Sequence, residues 1–172
     1  QMDMVHGADR LPDQRFQFPE DASDHVARSV RYYERLFGEK PRGMWPGEGS
    51  VAEEVIPAFV ANGIDYIATG QDVLWKSREN SPSYVPYRID SDRVAGDGGS
   101  RDDEMLIFFR DNVLSDKIGF QFQNYNGEDA AREFLGDVLA QAPRFGAKDR
   151  NVVVILDGEG LVLPRPEILE QA

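Results

Sequence analysis

Cysteine is absent from this 172-residue chain, which removes disulfides, thiolate metal sites and cysteine nucleophiles together. Histidine is nearly absent. With only His6 and His25, both ahead of the first expected strand, histidine-rich metal centres and most histidine-based triads are disfavoured. No apolar run approaches the roughly 18 residues of a membrane-spanning helix. Positive charge is short as well: 19 Lys and Arg against 31 Asp and Glu leave a net charge of −12. That balance repels nucleic-acid phosphates and anionic membrane surfaces, and it suits a neutral ligand. The opening residues are polar and lack the apolar core of a secretory leader. With the missing cysteines, this makes the cytoplasm the expected compartment.

What is present is an ordinary globular balance, 41% hydrophobic and 29% charged, in a length that predicts a single domain over 1–172. Residues 1–20 carry Pro12 and Pro19 without apolar period and read as an irregular lead-in. Asp21 or Ser23 can cap a helix to about Phe37, with Val26, Val30, Tyr33, Leu36 and Phe37 at helical spacing. Gly38 stops it. A short strand over 42–45 ends at Pro46, which lacks the N–H that a central strand donates. Ser50-Val-Ala-Glu53 fits a capping box opening a helix to about Ala61, with Pro57 expected to kink or split it. A second strand follows over 64–69, then a loop or short helix around Val73, Leu74 and Trp75. Residues 79–104 read as one long polar loop anchored by Tyr84 and Tyr87, with a glycine-rich tip at 96–103. Residues 105–109 form a third strand and 114–120 a short helical turn. Asn126 caps a helix to about Ala140, whose apolar side holds Phe134, Leu135, Val138 and Leu139. The fourth strand is 151–156. The class is α/β: the strands are continuous apolar runs, as in parallel strands covered on both faces.

Acids follow three of these four strands. Glu48 comes after the first, bracketed by Gly47 and Gly49; Asp111 after the third; Asp157 and Glu159 after the fourth. If the strands are parallel and adjacent, these carboxylates gather on one rim, where α/β proteins display catalytic groups. Such a cluster is costly unless it serves a ligand, a metal or proton transfer. Read alone, Glu48 is equally a loop acid favoured by a nearby helix N-terminus. Paired carboxylates can cleave glycosides, and clustered acids can hold Mg²⁺ or Ca²⁺. Asp157 and Glu159 lack recognisable ligand spacing, however, and the acids at 90–103 lack that of an EF-hand.

The stretches Phe16–Asp21, Tyr33–Gly38, Pro41–Val51, Gly63–Thr69, Phe108–Phe120 and Val153–Glu159 resemble, in order, glycoside hydrolase family 57. The resemblance runs over 16–159. It implies an incomplete TIM-like barrel of parallel strands with outer helices, a partial (β/α)7-type barrel. It also implies a retaining hydrolase or glucanotransferase acting on α-glucans or oligosaccharides without metal or organic cofactor. By resemblance Glu48 matches the nucleophile and Asp111 the general acid/base, while Asp157 and Glu159 match an acidic motif lining the same site. The family's opening His-Gln-Pro strand has no counterpart here, and Gly160-Leu-Val-Leu-Pro164 departs from its pattern after Asp-Gly-Glu. The chain therefore looks like part of a larger barrel, with the remainder or another chain as a partner. A non-catalytic carbohydrate-binding module built on part of that barrel is the alternative.

Three further residues are candidates for substrate binding. Trp45 can stack on a sugar face or fill the barrel core behind Glu48. Trp75 can stack on substrate or anchor its loop. Arg110 can hold an acid of the rim or pair at the surface.

Overall fold

The computed structural model describes residues 17–18, 20–89, 105–141 and 150–158. The glycine-rich tip at 96–103 lies outside them.

Helix α1, Glu20–Phe37, opens with acids at its positive end and closes with Arg35. Gly38 ends it at φ +79°, its N–H returning to the Glu34 carbonyl at 2.8 Å. Only Val26 and Val30 of α1 are buried; Tyr33, Leu36 and Phe37 are exposed, so the predicted apolar stripe is covered along just part of its length. Strand β1, Gly43–Met44, leads through a turn at Gly47–Gly49 to a second turn at Glu53–Val55 and helix α2, Ile56–Ala61.

This corrects the expected helix from Ser50. No capping box forms, and Ala52 precedes the first turn without a side-chain cap. Pro57 is the reason: its ring excludes a preceding α-helical turn, so only the tighter turn at Glu53–Val55 forms ahead of it, but it is tolerated in the first turn of α2, where it sits.

Strand β2, Tyr66–Gly70, passes directly into helix α3, Gln71–Ser77. A strand absent from the sequence reading follows: β3, Tyr87–Ile89, within the stretch expected to be loop. Strand β4, Met105–Arg110, leads into helix α4, Asn112–Asp116, a wide turn over Lys117–Gln121 and a tight one over Phe122–Asn124. Helix α5, Gly127–Gln141, begins where expected. The Asn126 side-chain oxygen accepts the Asp129 N–H at 3.0 Å, as an N-cap does. No residue of α5 is buried, and Leu135 and Leu139 on its expected apolar side are exposed.

The sheet order is β1-β2-β4-β3. β1, β2 and β4 are mutually parallel, as expected, with Met44 beside Ile67 and Ile67 beside Ile107; β3 runs antiparallel to β4. The expected fourth strand is reduced to a single parallel bridge, Arg110 to Val153. β3 accounts for this, because it occupies the same edge of β4 at Met105–Ile107 and leaves only the carboxyl end open. α1 and α2 cover one sheet face, where Val26, Val30, Ile56, Phe59, Ile64, Ile67 and Met105 form the core. On the other face Tyr66 meets Phe108 edge-on at 5.5 Å between ring centroids, yet stays 42% exposed. That face is not fully covered by the described residues, unlike the two-sided burial expected.

Candidate active site

Two chain turns lie at the carboxyl end of the parallel strands, one after β1 and one after β4. The first carries Glu48, whose backbone is left-handed, φ 55° and ψ 20°. For a residue with a Cβ this conformation costs roughly 1–2 kcal/mol. Gly49 is also left-handed, φ +66°, and a Cβ there would lie 2.8 Å from the Trp45 ring, so that position requires glycine for two reasons. Trp45 thus packs against the turn while remaining 38% exposed. The turn is fixed from below: the Thr69 hydroxyl, at the end of β2, donates to the Gly49 carbonyl at 2.5 Å. The Glu48 side chain is exposed above it.

The second turn carries Asp111, immediately after β4. Its residue is only 3% exposed. One carboxylate oxygen accepts the Leu114 N–H at 2.9 Å and caps α4. The other accepts the Tyr84 hydroxyl at 2.5 Å. The Asp111 N–H donates to the Val153 carbonyl at 2.8 Å, which ties the segment 150–158 to the same rim.

Asp111 and Tyr84 line a cavity of about 320 Å³ with Trp75, Gln71, Ser83 and Val113. Trp75 is 44% exposed there and is held by its indole N–H, which donates to the Ser81 carbonyl at 3.1 Å. A larger cavity, about 520 Å³, opens between α2, α3 and β3 and is lined by Ile56, Val73, Leu74, Ile89, Ile107 and Phe109. It includes none of the candidate site residues, and its size does not make it the site.

Arg110 faces structural partners. Its guanidinium donates to the Ile155 carbonyl at 2.9 Å, to the Asn112 side-chain oxygen at 3.1 Å and to Asp116 at 2.8 Å. Asn112 in turn donates to Asp72 at 3.1 Å, joining α4 to α3 behind Asp111. Asp157 is exposed at the end of the 150–158 segment, and Glu159 lies outside the described residues.

The structure therefore gathers Asp111 and Trp75 in one cavity, whereas Glu48 and Trp45 lie on and before the turn that follows β1 and do not line it. Thr69 was not singled out from sequence, and Tyr84 was read only as a loop anchor. The one available signal for Tyr84 was a tyrosine in a polar, proline-punctuated stretch. Thr69, the last polar residue of an apolar strand, gave a similarly weak hint.

Farther along, Lys117 bonds Asp137 at 2.6 Å and Glu133 at 2.8 Å. These hydrogen bonds, that to Asp137 foremost, push its pKa above the ordinary lysine range, against a smaller opposing effect of burial. The clamp fastens the turn after α4 to α5.

A strand–acid–helix junction of this kind, repeated on parallel strands, is the setting in which the sequence comparison is decisive. The sequence model of glycosyl hydrolase family 57 matches residues 11–170. The chain belongs to this family. No curated protein sequence matched it. The matched span of the family 57 chain contains both acid-bearing turns and the cavity between α3 and α4. Among its described residues no helix is long and apolar enough to cross a membrane.

Proposed function

We propose that this family 57 chain is part of an incomplete TIM-like barrel that acts on α-glucans by a retaining, two-carboxylate mechanism. Glu48 is the nucleophile. It attacks the anomeric carbon while Asp111 protonates the leaving oxygen; Asp111 then takes a proton from water or an acceptor sugar as the glycosyl ester on Glu48 is released.

The observation that carries this reading is the shared rim: Glu48 follows β1, Asp111 follows β4, and both strands run parallel to β2 between them. Two strand spacings set the ends of β1 and β4 about 9–10 Å apart. The Thr69–Gly49 bond draws the Glu48 turn inward over β2. Side chains reaching in from both sides can close that gap toward the roughly 5–5.5 Å between carboxyl groups that a retaining mechanism needs around a sugar. The left-handed backbone at Glu48 adds support, since such strain persists where surrounding structure enforces it for a purpose.

Trp75 offers a fixed aromatic wall beside Asp111, suited to the apolar face of a glucose unit, and Trp45 supports the Glu48 turn. Asp157, exposed at the end of 150–158, extends the acidic rim. Arg110 acts at one remove, by holding 150–158 and α4 in place.

The test is turnover and product stereochemistry on maltooligosaccharides. Hydrolysis or transfer with retained anomeric configuration is expected. Glu48→Gln should abolish it, and Asp111→Asn should reduce it roughly 10²–10⁴-fold. Binding without turnover would replace this reading with that of a carbohydrate-binding module.

A further inference from the structure

We infer that Tyr84 is a positioning residue for Asp111, its phenolic O–H fixing the one carboxylate oxygen left for proton transfer. The inference rests on Asp111 being the acid/base proposed above.

A carboxylate has two oxygens, and at Asp111 one is occupied by capping α4 through the Leu114 N–H. Proton exchange with a sugar falls to the other, Oδ2, which meets the Tyr84 hydroxyl at 2.5 Å. Both residues line the cavity that also holds Trp75. Tyr84 is not on a free loop. Its carbonyl accepts the Asn151 N–H at 3.1 Å, and its neighbour Ser83 is 5% exposed. The same segment that bridges to β4 at Val153 thus also sets the backbone from which the phenol reaches Asp111.

The chemistry gives the contact its purpose. As Glu48 forms its bond to the anomeric carbon, the electron pair of the breaking glycosidic bond goes to the leaving oxygen. That oxygen takes the proton from Asp111 Oδ2, and negative charge appears where Tyr84 donates. A contact to a neutral acid becomes a charge-assisted hydrogen bond as the proton departs. Stabilisation gained only on the way to the transition state raises the rate of the step. When water attacks in the second half, its proton returns to Oδ2 and the ester bond to Glu48 breaks.

Tyr84→Phe, compared on two substrates, tests this. A maltooligosaccharide leaves as a sugar alkoxide and needs the proton, whereas fluoride leaves α-maltosyl fluoride without one. The variant should lose about 10–100-fold in kcat/KM on the oligosaccharide and at most about threefold in kcat/KM on the fluoride, because kcat/KM reports the glycosyl-transfer step alone and not the water attack that both substrates share. Equal loss on both, or loss on neither, overturns the inference. Asp111→Asn separates the two levels. If it discriminates between the substrates and Tyr84→Phe does not, only Tyr84 falls; if it does not discriminate, the acid/base assignment falls and Tyr84 with it. Should the Phe variant not fold, fluorotyrosine at position 84 keeps ring and hydroxyl, and an unchanged ratio of the two rates is the overturning result.

Discussion

The Thr69 hydroxyl donates a hydrogen bond to the Gly49 carbonyl, fastening the end of β2 to the turn that carries Glu48. Thr69 is 1% exposed, so the bond lies away from water, and no solvent stands ready to replace it. Thr69→Val keeps the shape and leaves the carbonyl without this donor. The expected cost is about 1–3 kcal/mol in urea denaturation, with a fall in kcat if Glu48 is the nucleophile as proposed, because its turn loses its tether. A variant with unchanged stability and full activity would show that the turn holds itself.

Glu48→Asn should separate stability from activity. Asparagine tolerates the left-handed conformation better than glutamate, because its short side chain bonds locally to the backbone. The melting temperature should hold or rise, by an amount corresponding to at most about 1 kcal/mol, while glucan turnover disappears. A clear drop in melting temperature would mean that the Glu48 side chain itself supports the fold.

The Lys117 clamp predicts an alkaline limit. Its folded-state pKa is raised above the ordinary lysine value of 10.5, chiefly by the hydrogen bonds to Asp137 and Glu133. The contribution to stability is therefore complete below that value and is lost as pH climbs through the higher folded-state value. Lys117→Met should be less stable than the parent at neutral pH, and the gap should narrow above pH 10.5. Unfolding measured from neutral pH upward checks this; a gap constant at all pH values would rule the clamp out as its source.

Much of the frame was legible because parallel strands announce themselves as unbroken apolar runs. Ile67 lies inside one such strand and Met105 opens another, and both are fully buried. The acids after β1 and β4 followed from the same reading, since a strand's end is visible wherever proline or a charge interrupts it. The Ser50 helix was misplaced because a local capping pattern was set against Pro57, and the ring prevailed. β3 was missed because its three residues sit in a polar, proline-rich stretch and gain their order from pairing with β4, a partner distant in sequence. The fourth strand failed for a related reason: its composition suits a strand, but another element holds most of the edge it would need. Tyr84 and Thr69 were obscure because their importance lies in single hydrogen bonds to distant residues, which leave no periodic trace.

Asp111 performs two jobs with one side chain, capping α4 and facing the cavity, and this constrains how the chain can drift. A lineage released from selection for turnover is not free to put any residue at that position, because the first turn of α4 still needs an acceptor. Asparagine or serine keeps most of the cap, whereas alanine gives up typically about 1 kcal/mol. Descendants that no longer need the proposed acid/base should therefore collect polar, short replacements at this position, so that the cap outlives the carboxyl group.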